Sequence, residues 1–299
     1  VKGELCRVVS RDGLELQGFL ASPDGDVPST GVIHVHGLAG NFYENRFIDG
    51  VGAAVVNGGR SFLTVNTRGR DYLSDFICER PDGTKTYVQI GGIHEVFEDC
   101  LADLDAWVDF LRSRGTDRII LQGHSHGALK VTYYLYKRGD PGIAGLVLLS
   151  PSDDFGCQRA RLGGRFDEAL ATARSMIQAG GGRGLMPEGY FHYPVSASTY
   201  IDVFGPDSKL KIFNLSRTDT RAFEELASIK VPVLAVVGSV DEAFIDEPAA
   251  FIRQIRTEMA KVSSFEGRVI EGAPHNYLDF EDRVAYGIGE WLGSGVVGP

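Results

Sequence analysis

Cysteine, methionine and tryptophan are scarce in this chain, with four, three and two residues among 299. Cys6, Cys78, Cys100 and Cys157 are scattered, with no CxxC and no framework spacing. In a chain this long they read as buried or idle thiols, not as disulfides or a zinc site. No lysine- or arginine-rich cluster occurs, and the formal net charge is −10. Nucleic-acid binding ordinarily needs a basic stripe, so no nucleic-acid partner is expected. No apolar run approaches the length of a membrane span, so no membrane partner is expected either. The opening VKGELCRVVSRDG lacks an apolar signal region, and the expected location is cytoplasmic. Because the chain opens on Val1, a leader removed upstream is compatible with that reading. Internal repeats and low-complexity tracts are also missing.

What is present is ordinary material for a globular fold: 43% hydrophobic and 23% charged residues. Residues 4–22 alternate apolar and polar around Asp12-Gly13, which predicts a hairpin. GVIHVHG (31–37), SFLTVNTRG (61–69), DRIILQG (117–123), GIAGLVLLSP (142–151) and VPVLAVVGSV (231–240) predict strands. The last two are continuous apolar runs, as expected of strands buried on both faces. A short strand is expected near Arg268–Glu271. Helices are expected between Phe42 and Gly59, Glu95 and Arg114, after Ser125, near 247–260, and from about Asp279 to Leu292. In the second of these, Val96, Cys100, Leu104, Trp107 and Leu111 form one apolar stripe. Strand and helix in alternation predict an α/β fold with a mostly parallel sheet covered by helices on both faces.

Between Ser152 and Lys230 no buried strand pattern occurs. A helix over about Phe166–Gln178, a loop at Gly180–Gly184 and the aromatic stretch GYFHYPVSASTYIDVF occupy it instead. A structureless loop of that length is improbable in a compact domain. The chain therefore divides into core 1–151, a mostly helical cap insertion 152–230, and core 231–299.

GHSHG, residues 123–127, places a serine on the turn between a buried strand and a helix. Such a turn strains the serine backbone and lifts its Oγ clear of the sheet, and the flanking glycines admit a close strand–helix approach. That makes Ser125 the candidate nucleophile. Its acid and base should follow in the order Asp/Glu, His from later strand ends. VVGSVDE offers Asp241, with Glu242 and Asp246 as reserves, and EGAPHNY offers His275. Donors for a developing oxyanion are expected from the backbone N–H of His126 and, in the loop His36-Gly37-Leu38-Ala39-Gly40, from Leu38.

With these motifs in order, VIHVHGLAGN, QGHSHGA, VVGSVDE and EGAPHN, the chain resembles the serine α/β hydrolases over nearly its whole length. The resemblance implies an eight-stranded sheet and ester or related acyl hydrolysis without a cofactor. It does not imply a substrate, because the fold hosts many. The segment GGIHEVFEDCLADLDAW is faintly similar to a group that includes fungal siderophore esterases, and no substrate is carried over from it.

Three rival readings need weighing. His34-Val-His36 and His124-Ser-His126 are H-x-H pairs, a spacing that ligates zinc in some hydrolases. However, the second pair straddles the sharp turn, and the helical H-E-x-x-H pattern beginning at His94 meets Glu98 where its second histidine belongs. No metal is expected, and His34 and His36 read as packed, hydrogen-bonded residues. The fold could instead serve a non-catalytic ligand binder. Acyl transfer to an acceptor other than water would use the same triad. The expected partner is a small-molecule ester-type substrate, and a homodimer is among the assemblies the sequence allows. Phe42 and Tyr43 after the oxyanion loop, with Tyr190, Phe191, His192, Tyr193, Tyr200 and Phe204, form either the substrate lining or the insertion's own small core. Arg68 and Arg70 could meet a substrate carboxylate or hold structure.

Overall fold

The computed structural model describes residues 2–139, 141–215, 223–245 and 247–298. Asp246, a reserve acid above, lies outside the described residues, as does the 216–222 portion of segment 152–230.

The opening hairpin pairs β1 (Glu4–Val9) with β2 (Glu15–Ala21), Glu4 opposite Leu20. β3 (Thr30–Val35), α1 (Phe47–Asn57) and β4 (Ser61–Val65) follow. A second hairpin, β5 (Asp75–Glu79) with β6 (Lys85–Gln89), stands apart as its own two-stranded sheet. Then come α2 (Cys100–Ser113), β7 (Arg118–His124), α3 (His126–Arg138) and β8 (Ile143–Leu149). Segment 152–230 carries α4 (Asp154–Leu162), α5 (Phe166–Gln178), α6 (Ala197–Phe204) and α7 (Glu224–Ser228). The chain closes with β9 (Val233–Gly238), α8 (Pro248–Glu258), β10 (Phe265–Ile270) and α9 (Glu281–Gly293).

The main sheet has eight strands in the order β1-β2-β4-β3-β7-β8-β9-β10. From β4 to β10 every neighbour is parallel, and the opening hairpin forms the antiparallel edge. β3, β7, β8 and β9 are almost wholly buried, which is why their sequences run apolar without alternation. Two cores result. Val51, Ile288 and Trp291 of α1 and α9 pack on Val32, Val147 and Val236 of one sheet face. Leu104, Trp107 and Val131 of α2 and α3 share the other core with Ile33, Leu63 and Leu121. A buried side chain of that size contributes about 1.5–3 kcal/mol.

Strand order reverses between β3 and β7, which lie side by side with Val35 beside Gly123. In an open α/β sheet the crevice at such a reversal, beyond the carboxyl ends of the strands, is where ligands bind. The loop after β3 and the turn after β7 both open there.

Two expectations change. The β5–β6 hairpin was not expected. In β6 (KTYVQ) exposed and half-buried residues alternate, whereas β5 (DFICE) buries Phe76 and breaks the alternation, and between them lies Pro81-Asp82-Gly83, a turn signal outweighed by the surrounding polarity. Val96 does not join the α2 stripe. A 3-10 turn at Phe97–Asp99 precedes the helix, the stripe begins at Cys100, and Val96 is exposed. All four cysteines are free thiols. Among the described residues no helix is long and apolar enough to cross a membrane.

Candidate active site

Ser125 sits between β7 and α3 with φ 55° and ψ −126°. Residues held in such sparsely populated backbone regions cost about 1–3 kcal/mol and persist where the surroundings enforce them. The enforcement here is packing. A Cβ on Gly123 would run into the Gly127 carbonyl, and one on Gly127 into the carbonyls of Val35 and His36. The turn can therefore press against the end of β3 only with glycine at both 123 and 127.

The loop after β10 brings His275 to this serine. Its Nε2 lies 2.8 Å from Ser125 Oγ and its Nδ1 2.8 Å from Asp241 Oδ1, in the loop after β9. The carboxylate can only accept, so Nδ1 carries the hydrogen and Nε2 receives the serine O–H. Burial opposes charge on His275, but the hydrogen bond and charge of Asp241 outweigh it and raise the imidazole above its ordinary value. Burial likewise works against the Asp241 carboxylate, and His275 holds it below the usual range. Oδ1 also accepts the Ala243 N–H at 2.9 Å, so the carboxylate is fixed from two sides.

The two histidines beside Ser125 have diverging tasks. His124 Nε2 donates to the His275 carbonyl at 3.0 Å, tethering the loop that carries His275. Burial and its proximity to His275 lower its pKa to about 3, so it stays neutral beside that ring. Tyr277 secures the same loop by donating to the Val236 carbonyl while accepting from Ser150 Oγ, both at 2.8 Å. The ring of His126 turns away to Asp154 Oδ2 at 2.9 Å, linking the elbow to the start of α4.

Across from the elbow, the Gly37–Leu38 peptide is set by a buried polar chain. Lys130 on α3 is fully buried and donates to Glu95 Oε1 at 2.5 Å and to Thr67 Oγ1 at 3.0 Å. The Thr67 N–H donates to His36 Nε2 at 3.1 Å. That leaves His36 with its hydrogen on Nδ1, which donates to the Gly37 carbonyl at 2.7 Å. Burial, and next the Lys130 charge, keep this ring neutral by pushing its pKa well below the ordinary histidine value. A trans peptide points its N–H opposite to its C=O, so the Leu38 N–H faces away from this network. Gly37 also packs tightly under the serine, where a Cβ would lie 3.2 Å from that of Ser125. Among the described residues the N–H groups of Leu38 and His126 have no hydrogen-bond acceptor.

Ser125 and His275 open into a chamber of about 610 Å³, walled by Leu38, Glu44, Gln158, Arg161, Phe191 and Glu242 among others. A recess of about 20 Å³ adjoins it behind Leu38 and His126 and is lined chiefly by apolar groups, Val195, Val203 and Phe204 among them.

A family model described as "Protein of unknown function (DUF1749)" matches residues 92–287, about two thirds of the chain. The chain belongs to that family. No curated protein matches the DUF1749 chain in sequence. Among solved structures it is similar to Est1E from Butyrivibrio proteoclasticus with ferulic acid bound, at 20% identity. That match covers 97% of this chain and 98% of that one, with a TM-score of 0.67. DcsB in complex with its substrate analogue is similar at 15% identity, 99% and 100% coverage and a TM-score of 0.71. The Pyrococcus furiosus esterase Pf2001 follows at 18% identity, 98% and 91% coverage and a TM-score of 0.60. At such identities the likeness concerns the fold, and the DUF1749 chain has the α/β-hydrolase fold.

Several expected site residues of this DUF1749 chain lie elsewhere. Phe42 is committed through its backbone to Asn66 and Thr64, and Tyr43 is exposed; neither lines the chamber or the recess. Tyr190 and Tyr200 are buried within segment 152–230, Tyr190 donating to Glu168 and Tyr200 packing on Phe204. Phe204 lines only the recess, whereas Phe191 and Tyr193 line both compartments. Arg68 is buried between Asp12, Asp99 and Asp103, binding the first hairpin to α2, and Arg70 pairs with Asp71. Neither arginine is available to a substrate. Asp154, Gln158, Glu44 and Lys130 were missed by sequence reasoning. For Asp154 a signal existed, since Ser152-Asp153-Asp154 lies just beyond the carboxyl end of β8, after Ser150-Pro151. Among the described residues no group of three His, Cys, Asp or Glu could hold a metal ion.

Proposed function

We propose that this protein is a serine hydrolase that cleaves a carboxylic ester, lactone or thioester of a small organic molecule through an acyl-enzyme. The observation that carries the reading is the continuous hydrogen-bonded chain from Asp241 through His275 to a strained Ser125, at the floor of a chamber of about 610 Å³. As Oγ attacks the substrate carbonyl carbon, the serine proton passes to His275 Nε2. Asp241 holds the reactive tautomer and stabilises the imidazolium. The carbonyl oxygen takes up the negative charge facing the N–H groups of Leu38 and His126. One such donor supplies about 2.7–4 kcal/mol of transition-state stabilisation. Collapse breaks the bond to the leaving group, which receives the proton from Nε2, and water then repeats the sequence on the acyl-enzyme.

Residues 152–230 serve in this reading as the cap, since α4 and the Phe191–Tyr193 stretch wall the chamber opposite the sheet. The esterases among the fold's relatives support hydrolysis over mere binding. The test is fluorophosphonate labelling together with turnover of p-nitrophenyl esters. Wild type is expected to label and turn over, and Ser125→Ala to do neither. A folded Ser125→Ala protein that still hydrolyses the panel overturns the proposal.

A further inference from the structure

The two compartments beside Ser125 differ in size and chemistry, and proton transfer decides which part of an ester each receives. Resting on the hydrolase reading above, we infer that the small recess is the acyl subsite and that the substrates are acetyl or propionyl esters of a bulky polar alcohol.

At the tetrahedral stage the attacked carbon carries four groups: Ser125 Oγ, the oxyanion, the alcohol oxygen and the acyl carbon. The new Oγ–carbon bond forms as the serine proton moves to His275 Nε2, and the carbonyl π pair becomes the oxyanion lone pair. In the next step the carbon–oxygen bond to the alcohol breaks, and that oxygen takes the proton from Nε2. The leaving oxygen must therefore lie within reach of His275. His275 lines the large chamber and not the recess, so the alcohol occupies the large chamber. The oxyanion faces the Leu38 and His126 amides. The recess, which shares Leu38, Asp154, Phe191 and Tyr193 with the chamber, is left for the remaining substituent, the acyl carbon.

The size of the recess sets the acyl length. At about 20 Å³ against about 610 Å³ for the chamber, the recess has room for a short acyl group such as acetyl or propionyl and not for the long chain of an octanoyl group. Its back wall cannot retreat cheaply, because Val203 and Phe204 are buried on α6, Phe204 packed between Phe191 and Tyr200. Beside apolar groups such as Phe244 and Ile245, the large chamber presents the polar side chains of Glu44, Gln158, Arg161 and Glu242. Arg161 donates to Gln158 Oε1 and the Tyr190 carbonyl, which holds its guanidinium at the wall. Such a lining supplies hydrogen-bond partners to an alcohol that carries further hydroxyl or amino groups.

The experiment measures kcat/KM of the full chain for p-nitrophenyl acetate, butyrate and octanoate, then repeats it with Val203→Ala. Acetate is expected to exceed octanoate at least about tenfold, as a pocket discriminates by whole methylene groups. Val203→Ala is expected to raise butyrate relative to acetate; Val195→Ala replaces it if that variant fails to fold. A second arm compares acetate release from 6-O-acetylglucose, whose other hydroxyls are free, and from ethyl acetate, with the sugar ester expected to be faster. Octanoate turned over as fast as acetate, an unmoved butyrate-to-acetate ratio in the variants, or faster cleavage of ethyl acetate overturns the inference. In each of those cases fluorophosphonate still labels Ser125 and the hydrolase reading stands. Loss of labelling in wild type overturns both.

Discussion

The sheet side of the chamber and the side built by residues 152–230 are held in place by different means. On the sheet side, Leu38, Ser125 and His275 stand at the ends of parallel strands in a fixed hydrogen-bonded register. Their backbones are also pinned by buried polar groups: His36 on the Gly37 carbonyl, His124 on the His275 carbonyl, Tyr277 on Val236. On the other side, Phe191, His192 and Tyr193 belong to a non-helical stretch, in edge-to-face and tilted contact with one another and with Phe204 and Tyr72. Ring contacts of this kind are tolerant of small shifts, whereas hydrogen bonds between buried groups are directional. In the proposed hydrolase, the steps that need sub-ångström placement are assigned to the first wall and recognition of substrate shape to the second.

This contrast breaks if substitutions on the two walls have similar consequences. The largest effect is expected from Ser125→Ala, a fall in kcat of at least about 10⁴-fold in p-nitrophenyl acetate assays. An unchanged thermal melt would show that the fold survives. Asp241→Asn is expected to lower kcat by about 10³–10⁴-fold, because the amide no longer fixes the tautomer of His275. The pH profile sharpens the same point. His275 must be neutral to take the serine proton, and its pKa is raised by Asp241 against the opposing effect of burial. The acid limb of kcat/KM is therefore expected above pH 6.5, with activity lost as pH falls through it. A limb well below 6.5 would contradict the pairing.

Next in size is Lys130→Met, which strands Glu95 in the interior. Breaking one partner of a buried ion pair costs about 3–5 kcal/mol, read here as a lower urea midpoint. The double variant Lys130→Met/Glu95→Gln is expected to recover part of that loss. The smallest effect is expected from Phe191→Ala, a change in preference between ester substrates of under about tenfold with little change in stability. A Phe191→Ala protein as inactive as Asp241→Asn would abolish the distinction between the walls.

The fold was largely legible because its signals are local. Apolar runs such as IAGLVLL and VLAVVG mark doubly buried strands, and Asp12-Gly13 marks the first turn. Ser125, Asp241 and His275 were legible as candidates for the same reason, since each lies within five residues of a strand's carboxyl end. The strain at Ser125 is likewise local, written in its two flanking glycines. The exposed-edged hairpin at β5–β6 was not legible, as its alternation is broken by polar residues on both strands. Nor was the division of the aromatic residues between core and cavity. Tyr190 and Phe191 are neighbours in sequence, yet one ring is buried against Glu168 and the other lines both compartments.

The sequence by itself determined which residues form the candidate site and in what order they occur, because strand ends and sharp turns are encoded by near neighbours. Only the tertiary structure decided their partners. His124 and His126 look equivalent beside Ser125, but one holds the backbone of a loop 151 positions away and the other reaches Asp154. Lys130 reads as an ordinary helical lysine until packing buries it against Glu95 and Thr67. Contacts of that kind are set by how strands and helices stack, and no local pattern records them.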